Sequence, residues 1–282
     1  MSLYFVYPYL MLFDTIWSYL DRKAAFTRAI HPSANTTELK WIKMSKAYKV
    51  SYRVYYNERL KETHFHGKMT HPLYVQVTFD RQPIYFKSYY FDLFSKPRYV
   101  IFMDGKAHGP KLTDIIEKET ELLEFVIDRN LSEFSLDIFK KDYAYYSKDL
   151  CDLMEDKFLE YLFIFFQDEG MADLATTIQQ GAKLRIVYNV VRDMKKALNP
   201  PLYKKLIDNS FYHAPPYLPL FGFMQQTKRW PMLSLSVMEW EKPGTKEALQ
   251  AYVQQKYGDL DSAEVVKNME NWLQELKKET EG

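Results

Sequence analysis

Two stretches of alternating residues decide the fold: Lys49–Tyr56 (KVSYRVYY) and His71–Ser88 (HPLYVQVTFDRQPIYFKS). In both, β-branched and aromatic residues alternate with polar and basic residues at a period of two, which is typical of half-buried strands. Asp80–Gln82 interrupts the second stretch and predicts a turn. The sequence therefore predicts a small antiparallel sheet containing a hairpin, with strands near 49–57, 73–80 and 83–91 and a possible further strand near 99–103.

The alternation assigns the residues of the predicted sheet to two faces. Leu73, Val75, Val77 and Phe79 fall on one face of the central strand, and Tyr74, Gln76 and Thr78 fall on the other. In the return strand, Ile84, Phe86 and Ser88 oppose Tyr85, Lys87 and Tyr89. One face is predicted to be core, and the other to present tyrosine, lysine and glutamine.

Composition favours a globular chain with real cores. The 282 residues are 47% hydrophobic and 17% aromatic, with only nine glycines, which argues against disorder and favours two or three domains. The predicted fold class is α+β: a small antiparallel sheet domain, a helical bundle, and a mixed, mainly helical C-terminal region. The predicted divisions are 1–37 (N-terminal helix and linker), 38–111 (basic sheet domain), 112–199 (helical domain) and 200–282 (a region of unknown role).

Helical spacing and capping signals define the elements after the sheet. Thr113 is predicted to cap the first of these helices, and Gly170 to end a longer helix over 147–167. One or two helices are expected over 172–197 and a last one over 262–278. Leu233–Trp240 (LSLSVMEW) alternates like a strand.

The single cysteine, Cys151, can form neither an internal disulfide nor a cysteine-based zinc site, so a reducing, cytoplasmic setting is expected. Met1–Leu20 is apolar and aromatic but lacks a basic leader and a small-residue cleavage site. Pro8 and Asp14 interrupt it before it reaches the ~20 residues of a membrane span. The prediction is an amphipathic or buried helix over 3–20, with membrane-surface attachment as the alternative.

The net charge of +1 hides an asymmetry along the chain. Residues 1–111 carry 17 Lys and Arg against 8 Asp and Glu, and residues 112–282 carry 21 against 29. Any polyanion is therefore expected to contact the first part. Lysines at spacing three over 40–49 would line one side of a helix, and would otherwise form a mobile basic arm. On a helix they would repel one another unless a polyanion neutralised them. The alternative is that these lysines form an ordinary solvated helix face with no ligand.

The sheet and the helices after it resemble phage-integrase-like tyrosine recombinases. His71–Ser88 resembles the amino-terminal arm-type DNA-binding sheet of that family. Ile116–Ile127 (IEKETELLEFVI), Phe134–Phe139 (FSLDIF) and Phe158–Phe166 (FLEYLFIFF) look like the lead-in to its SAM-like core-binding helices. The resemblance covers residues 45–197 and fades over Thr176–Tyr188. It implies DNA binding by two successive modules of a mobile-element enzyme.

The catalytic part of that family has no counterpart in the sequence. The family uses a tyrosine nucleophile assisted by two arginines, a lysine and a His-x-x-Arg pair, because the developing phosphate charge must be held by fixed cations. None of the six histidines is followed by arginine at the third place, and about 85 residues remain beyond the core-binding region, too few for such a domain. The chain is expected to be the DNA-binding front of such an enzyme or a relative without the active domain.

The sequence gives less support to a metal site or an enzyme active site. His64, His66, His71 and Glu62 could supply metal ligands, although surface histidines in a polar loop are the plainer interpretation. The sequence contains no Walker loop, dinucleotide-binding glycine pattern, His-Glu-x-x-His or Gly-x-Ser-x-Gly. No cofactor, metal or catalytic residue is predicted.

Two functions follow from these observations. The first is non-catalytic binding of double-stranded DNA, with the sheet contacting one site and the helices a second. The alternative is a protein-interaction or structural module that uses an aromatic sheet surface and the proline-rich segment near 214–223, and that forms oligomers. The candidate DNA contacts are Lys43, Lys46, Arg53, Lys68, Tyr74, Gln76, Arg81, Tyr85, Lys87, Lys183, Arg185 and Arg192.

Overall fold

The computed structural model describes residues 50–228, 230–258 and 260–281, all in one compact unit. The expected N-terminal helix, the basic segment at 40–49 and the candidate contacts Lys43 and Lys46 lie outside these residues. The predicted α+β class is confirmed: strands come first and helices fill the rest. The predicted divisions at 37, 111 and 199 stay predictions.

Seven strands form three antiparallel sheets in the first part of the described chain. The strands are β1 (Ser51–Tyr56), β2 (Thr63–Phe65), β3 (Lys68–Thr70), β4 (Leu73–Phe79), β5 (Gln82–Lys87), β6 (Ile101–Met103) and β7 (Lys106–His108). The main sheet has the order β1-β4-β5, and the pairs β2-β3 and β6-β7 form separate hairpins.

Tight turns join the hairpin strands. Asp80 and Arg81 connect β4 to β5 with φ angles of 47° and 63°, and positive φ at both central residues is the signature of the turn type that matches strand twist. Asp104 and Gly105 join β6 to β7 in the same way, with φ angles of 51° and 72°. The turn predicted at Asp80–Gln82 is therefore confirmed.

Helices occupy most of the chain after the main sheet. They are α1 (Tyr89–Phe94), α2 (Leu112–Arg129), α3 (Leu136–Tyr146), α4 (Leu150–Asp168), α5 (Ala172–Gly181), α6 (Val187–Ala197), α7 (Pro200–His213), α8 (Tyr217–Thr227), α9 (Val237–Trp240), α10 (Thr245–Lys256) and α11 (Ser262–Glu281). Short 3₁₀ turns occupy Pro97–Tyr99 and Ala182–Leu184.

The predicted core face of the main sheet packs on α2 and α3. Leu73, Val75 and Val77 are completely buried. Phe86 of β5 lies 4.6 Å, between ring centroids, from Tyr143 of α3, and the Tyr52 hydroxyl of β1 donates to Glu124 of α2 at 2.5 Å. This packing leaves the opposite face of the sheet as its outer face.

The sequence-based prediction was wrong at three places. The strand predicted over 83–91 ends at Lys87, because the Ser88 side chain accepts from Phe91 N–H and caps α1, which begins at Tyr89. The residue before α2 is Lys111 rather than Thr113, and its side chain makes no capping hydrogen bond. Leu233–Trp240 is not a strand: Ser236 makes one isolated bridge to Asp149 and then caps α9, where the Ser236 and Glu239 side chains form a capping box. The alternation misled because every residue from 233 to 240 is buried, so the two sides of the segment do not differ in solvent contact.

The proline-rich segment is core. Every residue from Pro215 to Met224 is buried, most of them in α8, where Tyr217 packs on Phe158 of α4 with ring centroids 5.0 Å apart. This segment therefore offers no surface to a partner, and the protein-interaction alternative is left with the sheet.

Candidate nucleic-acid interface

Three cross-strand rows make up the outer face of the main sheet. The register aligns Arg53 of β1 with Gln76 of β4, and Gln76 with Tyr85 of β5. The next row aligns Tyr55, Tyr74 and Lys87, and the third row aligns Ser51, Thr78 and Pro83. Five of the twelve candidate contacts, Arg53, Tyr74, Gln76, Tyr85 and Lys87, thus share one face.

Side-chain hydrogen bonds order the centre of the outer face. Arg53 Nε donates to Gln76 Oε1 at 2.7 Å, and Gln76 Nε2 donates to Thr78 Oγ1 at 3.2 Å. The Arg53 guanidinium also lies 4.7 Å from the centre of the Tyr55 ring. An amide side chain can donate two hydrogen bonds and accept two, so Gln76 retains one donor and one acceptor position for a ligand.

The two other cations of the main sheet differ in their surroundings. Arg81 is exposed at the tip of the β4–β5 turn. Lys87 forms an ion pair with Asp92 in the first turn of α1, and its ammonium lies 5.8 Å from the centre of the Phe91 ring. A phosphate that bound Lys87 would have to compete with Asp92.

Tyr85 is an exposed aromatic side chain of the outer face, with 56% of its surface accessible to solvent. An aromatic ring on a strand, between polar neighbours, can contact sugars or base edges as well as another protein. Tyr74, in the central strand, is only partly exposed.

Lys68 does not lie on the outer face. It is exposed on β3, which pairs with β2 in a separate two-stranded sheet. The nearby histidines bond to backbone carbonyls: His66 Nε2 lies 2.6 Å from Phe94 O, and His71 Nδ1 lies 2.9 Å from Leu60 O. Within the described part of the chain, no group of three or more His, Cys, Asp or Glu side chains is placed to hold a metal ion.

The helical candidates Lys183, Arg185 and Arg192 are all exposed. Lys183 follows α5 and lines a polar recess with Arg98, whereas Arg185 and Arg192 line an apolar cavity on α6. Arg192 lies 3.5 Å from Asp193. No local pattern in the sequence predicted this cavity.

A buried ionic cluster around Arg98 was missed by the sequence reasoning. The Arg98 guanidinium pairs with Asp152 and Glu155 of α4, and Glu155 accepts a hydrogen bond from the Tyr217 hydroxyl at 2.5 Å. The side chains of Arg98 and Glu155 are 11% and 5% exposed. Burial raises the pKa of Glu155 above its ordinary value, and the Arg98 charge opposes that rise. No local signal marks Arg98, because its partners lie more than 50 positions away.

Two further buried acidic residues, Glu119 and Asp149, connect elements that are distant in the sequence. Glu119 of α2 accepts hydrogen bonds from the Ser88 and Tyr143 hydroxyls, each at 2.5 Å, and burial raises its pKa. Asp149 accepts from the backbone N–H groups of Asp152 and Leu235 at 2.8 and 2.7 Å. These carboxylates hold elements together and lie away from the outer face.

Comparison with protein-family models, with curated proteins and with solved structures finds no match to this chain. Among the described helices, none is long and apolar enough to cross a membrane.

Proposed function

We propose that the chain binds double-stranded DNA through the outer face of its main sheet. The observation that carries the proposal is the register that puts Arg53, Gln76 and Tyr85 in one row and Lys87 in the next. Cations, an amide with unused hydrogen-bonding capacity and an exposed aromatic ring are the side chains that β-sheet readers of DNA use.

The dimensions of the sheet suit the major groove. Adjacent strands lie about 4.8 Å apart, so the outer strands of a three-stranded sheet are separated by about 10 Å. The major groove of B-DNA is about 12 Å wide and admits strands. In this arrangement Gln76 on the central strand would be nearest to the base edges, and Arg53, Arg81 and Lys87 would lie toward the phosphates on either side.

The proposed contacts divide into two roles. Arg53, Arg81 and Lys87 supply charge that makes affinity depend on salt, whereas Gln76 and Tyr85 supply contacts to bases or sugars. The helical cations Lys183, Arg185 and Arg192 stay predicted as a second contact. The integrase-like relationship, and with it the absence of a catalytic role, also stays a prediction.

A duplex-binding titration tests the proposal. Binding of a labelled ~30-base-pair duplex is measured between about 50 and 200 mM salt for the wild type and for the triple variant Arg53→Gln, Arg81→Gln, Lys87→Gln. Each phosphate contact contributes about one unit to the slope of log affinity against log salt. We expect the wild type to show a steep slope and the triple variant to lose about two to three units of it.

The control variant loses the same charge elsewhere. Lys141, Lys195 and Lys256 are exposed residues on α3, α6 and α10, and their replacement by glutamine should leave the slope unchanged. Asp92→Asn should strengthen binding, because it releases Lys87 from its ion pair. Equal slopes in the two triple variants, or no binding at the lower salt, would refute the sheet as a DNA contact and favour a protein partner.

A further inference from the structure

An apolar cavity of about 800 Å³ lies beside α6, away from the outer face of the sheet. Its wall is built from α5, α6, the strand residue Ile101 and the segment Trp230–Leu233. Cavities of roughly 300–1,000 Å³ with mainly apolar walls are the size and chemistry of small-molecule sites.

The base of the cavity is formed by buried core residues, and its rim is formed by residues that are partly exposed to solvent. Ile178, Val187 and Met194 are at most 8% exposed, so they form a fixed apolar base. Ile101 and Trp230 line the same cavity and are each 44% exposed. Large apolar side chains left partly in water around a recess indicate a surface that a ligand covers.

Charged side chains at the cavity select the class of ligand. Arg185 and Arg192 both line it and are exposed. Arg192 has Asp193 within 3.5 Å, whereas Arg185 makes no ion pair with any residue that the structure describes. Arg98 also lines the wall, but Asp152 and Glu155 neutralise it. Among the described residues that line the cavity, the unneutralised charge is therefore positive and comes from Arg185.

We propose that this cavity binds a small amphiphilic anion, a molecule with an apolar body and one carboxylate, sulfonate or phosphate group. The apolar body covers Val187, Met194 and Trp230, and the anionic group pairs with Arg185 and competes with Asp193 for Arg192. Guanidinium groups bind such anions through short, charge-assisted hydrogen bonds. This site is independent of DNA binding by the sheet.

Two dyes that differ only in their charged group test this site on the full chain. The anionic probe is 1-anilinonaphthalene-8-sulfonate, and the neutral probe is N-phenyl-1-naphthylamine, which lacks the sulfonate. Dye fluorescence gives affinity and stoichiometry. We expect one anionic dye per chain, and about tenfold weaker binding after Arg185→Gln with Arg192→Gln, since that change removes charge-assisted bonds. Affinity for the neutral dye should not change.

Two further variants make the test specific. Lys195→Gln with Lys196→Gln removes the same charge from exposed positions of α6 that do not line the cavity, and should leave both affinities unchanged. Val190→Trp fills the cavity and should abolish binding of both dyes. Unchanged binding in Val190→Trp, equal loss in the two charge variants, or no binding of the anionic dye by the wild type would overturn the proposal. If Val190→Trp does not fold, the two charge variants still decide the outcome, because they change only exposed side chains.

Discussion

Arg98→Met is expected to lower the free energy of unfolding by about 3–5 kcal/mol, because it leaves a buried carboxylate without its counter-charge. Glu155 is 5% exposed and, among the described residues, would keep the Tyr217 hydroxyl and the Val187 N–H as its hydrogen-bond donors. Urea unfolding followed by circular dichroism measures the change as a shift in midpoint at constant slope.

The double variant Arg98→Met, Glu155→Gln separates the loss of charge pairing from the loss of packing. The introduced glutamine side chain would be neutral and could still accept from the Tyr217 hydroxyl, so we expect the double variant to be clearly more stable than Arg98→Met alone. A single variant within about 1 kcal/mol of the wild type would show that the pair behaves like a surface ion pair, contrary to its burial.

Glu239→Gln is expected to cost about 2–3 kcal/mol at neutral pH and nothing at low pH. Burial alone would raise the pKa of Glu239, but the ammonium groups of Lys118 and Lys228 lower it from 4.5 to about 2. A carboxyl whose pKa is lower in the folded state stabilises the fold above its unfolded pKa. That contribution is therefore complete above pH 4.5 and is lost as the pH falls toward about 2.

Glutamine is a suitable replacement because it can occupy the same capping-box position, so the Ser236 cap of α9 is kept while the charge is removed. Free energies of unfolding of the wild type and the variant, measured between neutral and acidic pH, should converge as the pH falls. Glu241→Gln is the matched control: Glu241 is 33% exposed and pairs with Arg129 at 3.5 Å, so its loss should cost less than about 1 kcal/mol. A difference that persists unchanged at low pH would contradict the assigned ionisation.

The sheet could be predicted from local sequence because apolar and polar residues alternate within each strand. The inward side chains Leu73, Val75 and Val77, and the outward side chains Tyr74 and Gln76, follow from a period of two and one buried face. The helices α2, α4 and α11 were placed to within a few residues for the equivalent reason at a period near 3.6.

The sequence could not show what depends on distant contacts. Arg98, Asp149 and Glu239 are ordinary charged residues in the sequence, and only the three-dimensional packing gives them buried partners on other elements. The cavity beside α6 is likewise formed by segments more than 100 positions apart, Ile101 and Trp230. Alternation also failed where both sides of a segment are buried, as at Leu233–Trp240.

The pairing of the start of α4 with the segment before α9 has a consequence for synthesis of the chain. Leu150 N–H donates to Leu235 O and Val237 N–H donates to Lys148 O, both at 2.9 Å. Trp240 Nε1 donates to Glu270 Oε1 at 2.8 Å. Lys148 and Leu150 are thus synthesised long before Val237 and Leu235, with which they pair. Contacts between residues far apart in the sequence slow folding. A nascent chain that has reached only α7 still exposes the apolar surface that Leu235 and Trp240 will cover, so chaperone contact is expected on the ribosome until the C-terminal helices emerge.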